Sequence, residues 1–221
     1  VPVLTCPGWE GDDILGTIAK RDESLGFETY LVTGDKDACQ LASDLTKIVS
    51  TKKGISDVQV LGPAEVMEKY GVTPAQFIDY LGLMGDSSDN IPGVPGIGPK
   101  SATSLLERFS SIEGIFEHID ELKGKQKENL IANEDMAYLS RQIATIVCDL
   151  DLEVDLEGIS FPDFDQAEVE AHFKKYSLAS PLTRVLNLID AQASTAFEPI
   201  EIGAVLEPDR SKELLESAMK R

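Results

Sequence analysis

Residues 85–102 read GDSSDNIPGVPGIGPKSA, a glycine-rich hairpin running into a helix. Gly93, Gly96 and Gly98 permit positive φ and close backbone approach, as a tight hairpin between two helices requires. Pro99 suits the first turn of the second helix, where Lys100, Ser101 and the unpaired amides are placed to meet a phosphate. Val94 and Ile97 are apolar and plug the turn. Asp86 and Asp89 stand just ahead of the hairpin. The spacing is that of a helix-hairpin-helix; the plainer alternative is a tight helix connection with no ligand.

Upstream of Pro63 the periodicity is that of an α/β fold. A helix is expected from Glu10 to about Ser24, with Ile14, Leu15 and Ile18 at helical spacing and Gly26 as its stop; it puts Glu10 and Asp13 one turn apart on one face. ETYLVTGDKD is a short apolar strand ending in a turn that carries Asp35 and Asp37, the end at which open α/β sheets place ligands. TKIVST and DVQVL read as strands joined through KKGIS. From Pro63 the period becomes 3.6, with helices over GPAEVMEKYG and TPAQFIDYLGLMG, a helix leaving the hairpin with Leu105, Leu106 and Phe109 on its apolar face, then SSIEGIFEHI and a longer stretch from Lys125 to about Ile146. DLDLEVDLEGISFPDF is acidic and strand-like, QAEVEAHFKKY and SPLTRVLNLID read as closing helices, and AQASTAFEP as a linker. The expected domains are 1–62, a partial α/β core; 63–190, a helical subdomain; and 191–221, a linker with the opening strand and helix of a further domain.

Seven carboxylates fall in three clusters: Glu10, Asp12 and Asp13 in GWEGDD, Asp35 and Asp37 in TGDKD, and Asp86 and Asp89 in GDSSDN. Brought together they repel, and divalent metal is the natural counter-charge. Each cluster alone reads equally as a helix first turn, a surface turn or an Asx-rich loop. Three of them at element boundaries, followed by a phosphate-type hairpin, point instead to a nuclease that uses two Mg2+ or Mn2+ ions. Zinc has little to build on, since His118 and His172 stand apart from the acids.

Composition argues the other way. The chain carries 20 basic and 39 acidic residues, a net charge of −19, where duplex binders are usually basic. Residues 149–221 hold 16 acids against 7 bases, and the first 148 hold 23 against 13; without the seven clustered carboxylates that first segment stands at −3. Three widely spaced cysteines, Cys6, Cys39 and Cys148, give no disulfide or zinc framework and fit a reducing cytoplasm. No run approaches the roughly 20 apolar residues of a membrane span, and no leader is apparent. VPVLTC reads as a buried strand with no preceding turn, so the chain is expected to be a fragment.

In order and spacing GWEGDD, TGDKD, GDSSDN and GVPGIGPKSA resemble the flap endonuclease superfamily, and within it the 5'-to-3' exonuclease domains of bacterial DNA polymerases I, over about residues 1–190. The resemblance implies a PIN-like α/β core, partial here, followed by a helix-hairpin-helix subdomain. It implies Mg2+-dependent (or Mn2+-dependent) phosphodiester hydrolysis of 5' flaps, nicks and RNA primers in DNA replication and repair. The seven acids match the family's metal ligands for two ions, and Gly93, Gly96, Gly98, Lys100 and Ser101 match its duplex-binding hairpin, which in relatives also holds K+. It also implies a bacterial, cytoplasmic, nucleoid-associated monomer acting with the rest of a polymerase chain in cis. Gly11 stands where the family motif usually has Ala, which costs the helix start under about 1 kcal/mol. The family's first strand with its own Asp, and its basic arch, would precede Val1, so cleavage by this chain alone is expected to be weak. The alternatives are a non-catalytic duplex-binding module and, through GDSSDN, a haloacid dehalogenase-type phosphatase, which lacks its DxDx nucleophile here.

Overall fold

The computed structural model describes residues 3–53, 57–154 and 165–194. The chain divides into two compact units, Val1–Gly158 and Ile159–Arg221. The first begins with helix α1 (Gly11–Leu25), whose start is fixed by the Glu10 N–H donating to Asp13 Oδ2 at 3.1 Å, and whose end is fixed by Gly26 at φ 81°. Strands β1 (Thr29–Val32), β2 (Thr46–Lys53) and β3 (Asp57–Leu61) form one sheet in that order, with β1 parallel and β3 antiparallel to β2. The parallel step from β1 to β2 runs through a 3-10 turn, Asp37–Leu41, that the periodicity did not signal.

Helices α2 (Pro63–Tyr70), α3 (Phe77–Met84) and α4 (Pro99–Phe109) follow as expected, each entered on a proline or polar cap. After them come α5 (Ile112–Glu117), α6 (Gly124–Ala132) and α7 (Glu134–Ala144). The single long helix expected from Lys125 is thus two, broken at Asn133, whose side chain bonds back to the Asn129 carbonyl at 2.8 Å in competition with the helical ladder. One hydrophobic cluster runs from Ala19, Leu31 and Ile48 through Phe77, Leu81 and Leu83 to Leu106, Ile112 and Ala137. Sheet and helices therefore share a core. Gly82 lets α3 and α7 approach: a Cβ there would stand 2.9 Å from Arg141 Cβ and 3.0 Å from the Ala137 carbonyl.

Two strand expectations are corrected. Residues 3–6 of VPVLTC form no strand and Val3 is 87% exposed, because no described strand lies beside them to take their backbone groups. Residues 149–154 are likewise irregular, and 155–164 lie outside the described residues. In the second unit the two closing helices are α8 (Gln166–Lys175) and α9 (Ala179–Ser194). The linker expected from Ala191 is helical as far as Ser194, and residues 195–221 lie outside the described residues.

Where α3 meets α7, Asp79 is 6% exposed, and Arg141 reaches it at 3.1 Å and Glu113 at 2.7 Å. Burial pushes the Asp79 carboxyl up and Arg141 pulls it back. Removing the guanidinium strands a buried carboxylate, so Arg141→Met is expected to cost about 3 kcal/mol in urea denaturation at pH 7. Burial favours the protonated acid, so the loss shrinks as pH falls and Asp79 takes up a proton. A cost under about 1 kcal/mol at pH 7 would show that Asp79 finds another partner.

Candidate functional site

The site is assembled from four places in the chain. The first turn of α1 supplies Glu10, Asp12 and Asp13; the turn after β1 supplies Asp35 and Asp37; the loop after α3 supplies Asp89; and the end of α7 supplies Ile143–Ile146. Together with Ile91 these line one cleft of about 220 Å³. Six of the seven sequence-predicted carboxylates therefore face a common space. Asp35, Asp37 and Asp89 each bring an oxygen within 4.8 Å of the other two.

The turn that holds the central pair is made by its own side chains. The Asp35 N–H donates to Thr33 Oγ1 at 3.0 Å, and the Asp37 N–H donates to Asp35 Oδ1 at 2.9 Å. Asp37 is 8% exposed and its Oδ1 is buried with no hydrogen-bond donor. A lone pair buried among carboxylates without a donor is costly, and a cation is the partner that chemistry supplies. Burial, then the Asp35 charge, pushes the Asp37 carboxyl up to about 6, with Lys36 opposing. Asp12 is raised by burial and then by Asp35, Glu10, Asp13 and Asp89.

Two of the seven differ in their contacts. Asp86 does not line the cleft: Lys36 forms an ion pair with its Oδ2, and its Oδ1 accepts the Ser88 N–H at 2.8 Å. Part of the counter-charge that the sequence assigned wholly to metal is thus Lys36. Asp13 lines the cleft but both its oxygens are occupied, Oδ2 by the Glu10 N–H and Oδ1 by the Val147 N–H at 2.9 Å.

That second bond belongs to a strap, residues 145–152, that sequence reading missed. Thr17 Oγ1 accepts the Leu150 N–H at 3.2 Å, and Arg21 donates to the Leu150 and Leu152 carbonyls at 2.7 and 2.6 Å. Gln40 donates to the Ala144 carbonyl and accepts the Ile146 N–H, each at 2.9 Å. The strap's backbone is therefore satisfied by side chains and not by a strand ladder. Asp13, Thr17 and Arg21 at i, i+4 and i+8 were the available signal, a polar stripe on α1 that reads equally as a solvated face.

The hairpin divides as well. Gly93 is buried and its N–H donates to Ser140 Oγ at 3.0 Å, so it serves packing and has no amide to spare for a phosphate. The Val94 and Ile97 amides are spent on the Leu83 and Val94 carbonyls. Those of Gly96, Gly98, Lys100 and Ser101 have no partner among the described residues, and Gly96, Pro99 and Lys100 are exposed. Asn129 braces the turn by donating to the Pro95 carbonyl at 2.8 Å.

Two family models match in tandem: "5'-3' exonuclease, N-terminal resolvase-like domain" over residues 1–71 and "5'-3' exonuclease, C-terminal SAM fold" over residues 72–167. The chain belongs to the 5'-3' exonuclease family. Among its 5'-3' exonuclease relatives, DNA polymerase I of Bacillus subtilis strain 168 is 46% identical over 199 residues, 89% of this chain and 23% of that protein. DNA polymerase I of Caldicellulosiruptor bescii is 39% identical over 210 residues, 91% of this chain and 24% of that protein. The chain thus spans about a quarter of the length of these relatives. The bacteriophage T5 5'-exonuclease, solved with zinc ions bound, superposes with a TM-score of 0.57 at 29% identity, covering 66% of this chain and 53% of that one. The catalytic core of Rad2 shares the fold, at a TM-score of 0.54 and 17% identity over 79% of this chain and 58% of that one. Among the described residues no helix is long and apolar enough to cross a membrane.

Proposed function

We propose that this chain is the 5' nuclease region of a DNA polymerase I, binding duplex DNA that carries a 5' flap, nick or RNA primer and hydrolysing phosphodiesters with divalent metal. The observation that carries the reading is the trio Asp35, Asp37 and Asp89 with the buried, unpartnered Asp37 oxygen at its centre. All-carboxylate donors suit Mg2+ or Mn2+. Asp35, Asp37 and Asp89 would hold one ion, and Asp12 and Glu10, across the cleft, would complete a second site. Asp13 holds the wall and Asp86 holds Lys36. Ions held by these residues would supply activation of a water and stabilisation of the leaving oxygen. The chain's own residues fix the acids in advance through the Thr33–Asp35–Asp37 bonds, and Ile91, Ile143 and Ile146 give the cleft an apolar rim.

Duplex binding falls to the free amides of Gly96, Gly98, Lys100 and Ser101, with K+ a candidate at the same turn. Two grooves support a continuous path from hairpin to cleft. One is lined by Lys100, Thr103, Tyr80, Tyr70 and Lys69, the next by Lys69, Tyr70, Lys36 and Asp35. Lys100 and Lys69 stand along this line with Glu107 and Asp35 beside them, in a chain that is acidic overall. We place the protein in the bacterial cytoplasm with its polymerase partner domains in cis.

Incubation of a 5'-flap duplex and Mg2+ with this chain, and with a version extended upstream by the matching Bacillus subtilis polymerase segment, tests the reading. Cleavage is expected at least from the longer protein; none from either would overturn it. Lys100→Ala is expected to weaken duplex binding severalfold and lower the salt slope by about 1. An unchanged slope would remove Lys100 from the interface. Intact duplex binding with no Mn2+ uptake would favour a non-catalytic binding module.

A further inference from the structure

We propose that Gln40 is a positioning residue that sets the width of the acidic cleft, by clamping the turn that bears Asp37 to the opposite wall at Ala144–Ile146. The inference rests on the metal reading above and adds a residue to it. Gln40 lies in the 3-10 turn that begins at Asp37, and its Nε2 donates to the Asp37 carbonyl at 3.0 Å and to the Ala144 carbonyl at 2.9 Å. Its Oε1 accepts the Ile146 N–H at 2.9 Å. One amide therefore joins, through main-chain atoms on both sides, the residue with the orphaned oxygen and the wall facing it.

No other described bond ties these two sides directly. Asp13 and Thr17 hold the strap to α1, and Arg21 holds its far end at Leu150 and Leu152. None of the three hydrogen-bonds to the Asp37 turn. The β-sheet does not help, since the wall residues belong to no strand. Without Gln40 the Ala144 carbonyl and the Ile146 N–H lose their partner, and water becomes the replacement. Water at that point opens the cleft beside the carboxylates and weakens the preorganisation on which ion binding depends. Gln40 itself contacts no reacting group, so its influence passes through Asp37 and the wall.

The test compares two near-isosteric variants, Gln40→Met and Arg21→Met, in the full chain. Both loosen the strap, but only the first unlinks the Asp37 turn. Mn2+ titration by calorimetry and the EPR spectrum of bound Mn2+ are read beside thermal stability. Gln40→Met is expected to lower Mn2+ affinity about tenfold and broaden the spectrum. Arg21→Met is expected to lose comparable stability with affinity kept within twofold. Affinity within twofold in Gln40→Met overturns the proposal, as does an equal loss in Arg21→Met, which would make any loosening of the strap sufficient.

Should Gln40→Met fail to fold, reciprocity supplies the second measurement. A clamp that strengthens Mn2+ binding tenfold is itself strengthened tenfold by Mn2+, so exchange of the Ile146 amide in the unaltered chain slows by about that factor on saturation. Unchanged exchange overturns the clamp. If the unaltered chain binds no Mn2+, the metal reading fails and this inference with it; binding that Gln40→Met leaves untouched defeats the inference alone.

Discussion

Asp37→Asn is expected to abolish Mn2+ binding by the cleft and, in EDTA at pH 7.5, to make the chain more stable by on the order of 2–3 kcal/mol. The two effects have one cause. Asp37 is buried beside Asp35 and Asp89, and its carboxyl titrates at about 6, above the 3.8 of a free side chain. A raised carboxyl favours the protonated folded state, so its ionisation costs stability. The cost is fully present above pH 6, fades as pH falls through 6, and is gone below about 3.8. Asparagine removes that charge at every pH and adds an amide that donates to its acidic neighbours. In EDTA the unaltered chain should therefore narrow its deficit against Asp37→Asn between pH 7.5 and pH 5. Added Mn2+ should reverse the order at pH 7.5, since only the unaltered chain gains from binding. Urea denaturation at the two pH values, with and without Mn2+, measures all of this. If Asp37→Asn is no more stable than the unaltered chain in EDTA at pH 7.5, the trio is not strained by its own charge.

Gly93→Ala is expected to cost more than about 4 kcal/mol, enough to prevent the hairpin from forming. Gly93 sits at φ 62°, and a Cβ there would lie 2.3 Å from the Gly85 amide nitrogen and 2.6 Å from the Met84 carbonyl carbon. Both obstacles are backbone at the end of α3, which also receives the Val94 N–H at the Leu83 carbonyl. Nothing there yields without moving the loop that carries Asp86 and Asp89. Gly96→Ala provides the contrast. Its φ is 80°, but its Cβ would meet only the end of the Asn129 side chain at 2.7 Å, so about 1 kcal/mol is expected. The pair separates a glycine needed for packing from one kept at the surface. Equal costs in denaturation would show that φ alone, and not the close approach to Gly85, decides Gly93.

Much of this fold was legible in local sequence because its signals are short in range. Glycine stops at Gly26 and Gly71, proline starts at Pro63 and Pro99, and the apolar run of β1 each act within a turn or two of chain. Where an element depended on a distant partner, local reading erred. VPVLTC and DLDLEV are apolar enough for strands, but a strand needs a neighbour. The second of these lies largely within the strap, its Leu150 and Leu152 carbonyls bonded instead to Arg21, more than a hundred residues earlier in the chain.

The site divides the same way. The residue types and order of GWEGDD, TGDKD and GDSSDN determined that this chain would gather carboxylates and that metal or a cation must answer them. Which acids meet was decided only by the packed structure. It brings Asp35, Asp37 and Asp89 together, turns Asp86 to Lys36, occupies both oxygens of Asp13, and commits the Gly93 amide to Ser140. Charge and spacing are properties of the chain. The direction of a carboxylate is set by hydrogen bonds from residues far along it, and those exist only after folding.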